Sequence, residues 1–321
     1  MRYGAFEDIL ACPECKIPLH KTGQQLTCKG ACGCSYPIYF DIPVVISCKN
    51  PVFQVSDFAI KQPPQIFFNN YRNPILRFLK KLRPDITLNR ASKKNYTDLA
   101  KRISLIHQPR ILIIGGSIDG QGIRSLKDHL AADAIMVESD VAHGPNTNII
   151  LDAHAIPFKE ESFDLVIAQA VLEHVLDPFQ CVKEIQRVLK PGGMIYAETP
   201  FIQQVHGGKY DFHRFTHLGH RRLFRSFREE YSGVIAGAGS AMAWSALYFI
   251  TAFATSKKID KILSFIGSFL VFWLKYFDYL YNFSKGGAHD AACGLFFLGK
   301  KEPDYTLSDQ ELLQGYHGHK S

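Results

Sequence analysis

The sequence predicts an α/β protein: a parallel sheet with crossover helices, preceded by a small cysteine-rich module and interrupted late by an apolar insertion. Three observations predict it. From Arg110 onward, short apolar runs alternate with amphipathic ones, and strands alternating with helices mean a parallel sheet with crossovers. Five of the eight cysteines fall between Cys12 and Cys34. Residues 241–285 are dense in aromatic side chains.

The bulk properties fit. The chain has 321 residues, 46% hydrophobic and 21% charged, which suits one large domain and a smaller one. No apolar stretch follows a basic start, so no secretory signal is read, and a cytoplasmic setting is expected. Net charge is +7, which permits contact with nucleic acid or anionic lipid and demands neither. The predicted division is 1–48, a cysteine module; 49–108, a basic helical linker or lid; 109–302, the main domain with a helical cap at 241–285; and 303–321, a tail.

The module begins "CPECKIPLHKTGQQLTCKGACGCSYPIYFDIP". Clustered cysteines in a chain without an export signal read as metal ligands rather than disulfides. Two cysteine turns can close a tetrahedron of thiolates around Zn²⁺, and a segment this short cannot bury enough apolar surface to fold without such help. Cys12, Cys15 and Cys28 are three ligands; Cys32 and Cys34 compete for the fourth place. The stretch resembles the small zinc-ribbon domain that serves some tRNA and protein methyltransferases as a partner subunit. There the last cysteine lies four residues before the Tyr of a Tyr-Pro-Ile run, which here is Tyr36, so the resemblance selects Cys32.

In the linker, Ile75, Leu76, Phe78, Leu79 and Leu82 recur at helical spacing among basic residues, and a second helix is predicted over about 92–106. In the main domain a strand at 110–114 leads into a Gly-rich turn and a helix. Strands follow around 134–137, 148–151 and 163–168. A helix at about 179–189, closed by "KPGG", precedes a fifth strand, "MIYAETP".

The run from Arg110 to Pro200 resembles a class I S-adenosylmethionine-dependent methyltransferase. The matching pieces are the Gly-rich turn, an acid after the second strand, "DAHAIPF", "FDLVIAQAVLEHVLDP" and "EIQRVLKPGGMIYAETP". The resemblance implies a Rossmann-like seven-stranded sheet that binds its cofactor at the carboxyl ends of the strands. Gly115, Gly116 and Ser117 would cradle the methionine part, and Asp140 would hold the ribose, with Glu138 as its alternate. Asp152 would accept from the adenine amino group beside the Ala153 N–H. Gln169 and Ala170 would line the floor. Ile113 stands where the family usually carries an acid, and Ser117 replaces a glycine. A dehydrogenase is the competing reading for a Gly-rich turn, but G-x-G-x-x-G is not present.

Glu173 and His174 offer either an acid–base pair or backbone anchors at the rim. After the fifth strand, "HGGKYDFHRFT" resembles a segment of many methyltransferases of this type. His206 or His213 could take a proton from the acceptor, with Asp211 orienting it. The same segment also reads as a structural clasp. The two apolar runs of 241–285 predict a cap that would accept a lipid-linked or other apolar substrate, dock on the inner face of a membrane, or fill a homodimer interface. The function expected is methyl transfer to a small-molecule, glycan or lipid-linked acceptor. An RNA methyltransferase and a cofactor-binding adaptor without catalysis are the alternatives; no aromatic-interleaved basic groove for RNA is evident.

Overall fold

The structure is a computed structural model that describes residues 3–61, 82–280, 282–284 and 286–319. The helix expected from Ile75 to Leu82 lies mostly outside them. Four short strands form the N-terminal module: β1 (Leu19–Thr22), β2 (Gln25–Cys28), β3 (Ser35–Tyr39) and β4 (Ile42–Val45). The main domain supplies β5 (Arg110–Ile114), β6 (Ile135–Asp140), β7 (Ile149–Leu151), β8 (Phe163–Gln169), β9 (Leu189–Pro200), β10 (Arg228–Ala236) and β11 (Gly294–Lys300).

The main-domain strands lie in the order β7-β6-β5-β8-β9-β11-β10, which is the seven-stranded sheet expected. All are parallel except β11, which runs antiparallel to both neighbours. The module does more than pack against the main domain. Strand β4 pairs in parallel with β7, Val44 opposite Ile150, so the module extends the sheet to eleven strands. Its apolar core is also shared: Phe6, Leu10, Leu26 and Tyr36 are buried in one cluster with Phe158 and Phe163 of the main domain.

Helices cover the sheet where their periodicity puts apolar residues on one face. In α1 (Ser92–Ile103), Tyr96, Leu99, Ala100 and Ile103 are buried against Ile111, Ile113 and Tyr196. This part of the predicted lid is therefore a core helix; the spacing i, i+3, i+4, i+7 presents a single stripe to the sheet. The short α2 (Ile123–Lys127) follows the Gly-rich turn. Helix α3 (Pro178–Val188) starts with Asp177 accepting from the Gln180 N–H and Pro178 in its first turn, both favoured there. It buries Cys181, Val182, Ile185 and Val188. Glu184 on the same helix is also buried, between Lys16 of the module and Arg187, each 2.8 Å away. Burial raises the Glu184 pKa, but the Arg187 and Lys16 hydrogen bonds outweigh it and hold the pKa below the ordinary carboxylate value.

After α4 (His217–Leu223) and β10, the insertion predicted at 241–285 forms a hairpin of α5 (Ala238–Thr251) and α6 (Lys257–Val271), continued by a 3₁₀ segment over Phe272–Tyr279. By length and composition, the run Lys257–Tyr279 is apolar enough to cross a membrane. The hairpin buries Ala243, Leu247 and Val271 around Ile86. Its far end is pinned by the fully buried Asp278, which accepts from the Gly237 N–H (3.1 Å), the Gly239 N–H (2.7 Å) and the Ser240 hydroxyl (2.7 Å). After a short α7 (Gly287–Asp290) and β11, the tail is not featureless. Helix α8 (Asp309–Gln314) opens with a capping box in which the Ser308 side chain and Glu311 bond reciprocally.

Candidate functional site

The carboxyl ends of the parallel strands open into two neighbouring cavities, where an open α/β sheet binds its ligands. The larger has a volume of about 860 Å³. Asp140 at the end of β6, Asp152 after β7 and Ala153 line it, with Gly115 at the end of β5. The smaller, about 280 Å³, is lined by Gln169, Glu173, Glu198 and His206. Ala170, directly after β8, faces both. Its φ of 53° is in the left-handed region, unusual for a residue with a Cβ and characteristic of a site held by its surroundings.

The Gly-rich turn is shaped by contact. Gly115 has φ +76°, and a Cβ there would lie 2.4 Å from Val171 Cγ2, so no larger residue fits without a shift. The Gly116 N–H donates to the Ser139 carbonyl (2.8 Å), and the Ser117 N–H to Asp140 Oδ2 (3.2 Å). Gly116 lines a small recess beside Glu138 rather than the larger cavity, and Ser117 packs against Gly144. Of the three, Gly115 alone borders the larger cavity. Glu138 also stands back from it: its carboxylate is 2.6 Å from Lys127 Nζ, and burial raises its pKa against that partner. Asp140 is the carboxylate on the cavity wall.

Asp152 has company that sequence reasoning missed. Its Oδ1 accepts from the His154 N–H (2.9 Å) and from His154 Nδ1 (2.6 Å), while Oδ2 accepts from Asn50 Nδ2. Burial raises the pKa of Asp152, but the bonds from His154 outweigh it and hold it below the ordinary value. His154 in turn is raised by its bond to Asp152. Its Nε2 accepts from the Asp177 N–H (3.0 Å), which fixes the proton on Nδ1. Asn50 is itself locked, since its Oδ1 accepts from the Val52 and Phe53 N–H groups at 2.9 and 2.8 Å. The segment after β4 thus forms a wall of the larger cavity through Asn50 and Phe53. No signal in the sequence marked it, because its role depends on β4 pairing with β7.

Gln169 does not lie on the floor of the larger cavity. Its Nε2 donates to the Gln121 carbonyl (2.8 Å) and Glu198 Oε2 (2.7 Å), clamping the Gly-rich loop to β9. Glu198 is buried, which raises its pKa against bonds from Gln169, Tyr196 and Ser92.

On the acceptor side the structure separates the two candidate histidines. Asp211 accepts from the His206 and Gly207 N–H groups (2.7 and 3.1 Å), lies 3.5 Å from His206 Nδ1 and is paired with Arg214. His213 does not share this arrangement. Its Nε2 faces the Leu176 carbonyl at 3.3 Å and its ring stacks on Phe215, so the pairing of Asp211 with His213 is corrected. His174 joins His206 instead, their ring centroids 4.9 Å apart, beside the buried Glu173.

In the module, the Sγ atoms of Cys12, Cys15, Cys28 and Cys32 lie within 4.8 Å of one another. Neighbouring pairs are 3.3–3.6 Å apart, close to the ~3.8 Å edge of a tetrahedron of sulfurs ~2.3 Å from Zn²⁺. The donor set fits that ion. Cys34 stands outside it, 2.8 Å from Cys48 Sγ.

The fold and these strand-end carboxylates define an α/β methyltransferase architecture with a cysteine-cluster module at its edge. Comparison with known proteins agrees: residues 120–197 match the methyltransferase domain family, and residues 7–39 match the Trm112p-like protein family. In these two segments the chain is similar to a Trm112p-like protein and, behind it, to a methyltransferase domain. Among curated relatives, a tRNA U34 carboxymethyltransferase of Campylobacter curvus is 34% identical over 65 residues, 19% of this chain and 22% of the relative. A demethylmenaquinone methyltransferase of Staphylococcus haemolyticus is 41% identical over 86 residues, 25% of this chain and 35% of the relative. The chain spans only 14–36% of the length of such relatives. Among solved structures, a complex of the Haloferax volcanii Trm112 methyltransferase activator with a methyltransferase aligns at 17% identity and TM-score 0.42, covering 68% of this chain and 92% of that one.

Proposed function

We propose that this protein transfers a methyl group from S-adenosylmethionine to a small-molecule, glycan or lipid-linked acceptor. The observation that carries the reading is that Asp140 and Asp152 face one cavity from adjacent strand ends, beside the left-handed Gly115. Such a cofactor brings vicinal ribose hydroxyls, an adenine amino group and a methyl on a sulfonium. Asp140 would accept from the hydroxyls. Asp152, whose Oδ1 holds His154 and whose Oδ2 holds Asn50, would offer the remaining lone pair of Oδ2 to the amino group, and the Ala153 N–H would donate to the ring. The methyl would then point past Ala170 into the smaller cavity, where His206, held by Asp211, is the acceptor-side imidazole. Bringing donor and acceptor into line is the main contribution of such a site. We assign Zn²⁺ to the four module thiols as a structural ion.

The hairpin supports an apolar or lipid-linked acceptor. Phe249, Phe253, Leu270 and Leu280 are each at least 60% exposed, and Lys257, Lys258 and Lys261 lie in the first turns of α6. An apolar face with a basic rim suits peripheral docking on an anionic bilayer. RNA is the second reading, favoured by the tRNA-modifying relative and the net charge of +7. A transfer assay with methyl-labelled cofactor separates them. Label entering the organic phase of a membrane-lipid extract supports the first reading; label entering RNA supports the second. Tight cofactor binding without transfer to either would fit an adaptor.

A further inference from the structure

We propose that Glu173, His174 and His206 form a binding site for a divalent first-row transition-metal ion on the partition between the two cavities. Glu173 is fully buried, and neither oxygen of its carboxyl group has a hydrogen-bond partner. Buried carboxyl groups are almost always satisfied, so this one calls for a ligand. Its main chain is firmly held, the carbonyl accepting from the Phe212 and His213 N–H groups at 2.8 and 3.1 Å.

Two imidazoles aim at it. His174 Nε2 and His206 Nε2 each lie 3.7 Å from Glu173 Oε1. That is too long for a hydrogen bond and a few tenths of an ångström beyond the ~3–3.5 Å between two ligand atoms ~2.1 Å from one ion. Both rings are turned for ligation. His174 Nδ1 lies 2.8 Å from the Tyr210 carbonyl, so it carries the proton and leaves the Nε2 lone pair toward Glu173. His206 Nδ1 faces the Gln204 carbonyl at 3.3 Å and Asp211 Oδ2 at 3.5 Å, so Nε2 is again the nitrogen turned toward Glu173. A backbone carbonyl or carboxylate behind each histidine is the usual outer support of a metal site. Gly207 keeps room for this arrangement, because a Cβ there would lie 2.4 Å from the His174 ring.

Two nitrogens and one carboxylate suit Mn²⁺, Fe²⁺, Co²⁺ or Zn²⁺ and leave coordination positions open. Glu173 and His206 line the smaller cavity and His174 the larger, so those positions face the meeting point of the two. An ion there would bind a hydroxyl oxygen of the acceptor and lower its pKa, so that its proton leaves to solvent and the oxygen takes the methyl. That use rests on the methyl-transfer reading; the binding does not.

The test follows Co²⁺ titration of the full-length, zinc-loaded protein by absorption spectroscopy. One equivalent should bind with a visible d–d band and without the near-ultraviolet thiolate charge-transfer band that the cysteine cluster would give. Mn²⁺ should compete for it. Glu173→Gln, which preserves shape, and His206→Gln, on a partly exposed loop, should each weaken Co²⁺ binding by more than the about tenfold to hundredfold that loss of an outer support costs. If Glu173→Gln does not fold, His206→Gln with His174→Gln decides. No d–d band under a large excess of Co²⁺, a charge-transfer band alone, or unchanged affinity in the folded variants would overturn the proposal. The band is read without cofactor, so a failure to bind S-adenosylmethionine leaves this result distinct.

Discussion

Two additions stand at opposite ends of the sheet order, and they are held in different ways. The N-terminal module joins through β4, shares apolar core with the main domain and is tied to α3 by Lys16 and Glu184. It then sends Asn50 and Phe53 into the nucleoside-sized cavity. The α5–α6 hairpin buries one modest apolar face and is pinned by Asp278, while its other face presents large apolar side chains to solvent. The module is thus part of the site's wall. The hairpin touches the acceptor-side loop through Trp244 and Ser245 of α5, and its exposed face is free to meet something else.

The most severe way to break this contrast is to remove the module's thiols. Structural zinc contributes on the order of 10 kcal/mol to folding a small domain. In the double variant Cys12→Ser/Cys28→Ser, hydrogen exchange should rise throughout residues 3–48, and cofactor affinity should fall because Asn50 and Phe53 lose their support. Protection of α5 and α6 should not change. The mirror experiment is Asp278→Ala, which strips the acceptor from three buried donors and should cost about 3 kcal/mol. Thermal unfolding should show the loss, and protease should cut the hairpin first. Calorimetry should find cofactor binding intact.

A milder variant sharpens the comparison. Asn50→Ala removes one hydrogen bond from Asp152, worth about 1 kcal/mol, and should weaken cofactor binding about fivefold without altering the unfolding midpoint of the hairpin. A further effect concerns pH alone. Burial pushes His220 down to about 3, amid Phe224 and Phe297. As pH falls from 7 to 5, the unfolded chain takes up a proton there that the folded chain refuses, so stability falls with pH. His220→Phe should flatten that acid slope in denaturant titrations at pH 7, 6 and 5 and leave the contrast between module and hairpin untouched.

The same contrast explains what could be read from the sequence. Strands β5 to β9 were legible because each holds a local apolar run with a glycine turn or a polar residue, such as Asp140 or Asp152, near its carboxyl end. Three of the four clustered thiols were legible from spacing and the fourth, Cys32, from the resemblance; in the structure Cys34 lies instead with Cys48. What escaped depends on contacts between distant segments. Asn50 matters only because β4 docks on β7, and Glu173 acquires His206 only through the fold of the loop after β9. The choice between His206 and His213 turned on where Asp211 points, which residue order alone does not state. Helix α8 was overlooked although its capping box, Ser308 to Glu311, stood in plain sequence.

The central claim is that the larger cavity holds S-adenosylmethionine between Asp140 and Asp152. Isothermal titration of that cofactor into the wild-type protein and Asp140→Ala tests it most directly. The account predicts one site per chain in the wild type and at least about tenfold weaker binding, some 1.4 kcal/mol, in the variant. Equal affinity in the two proteins, or no heat of binding in the wild type, would contradict it.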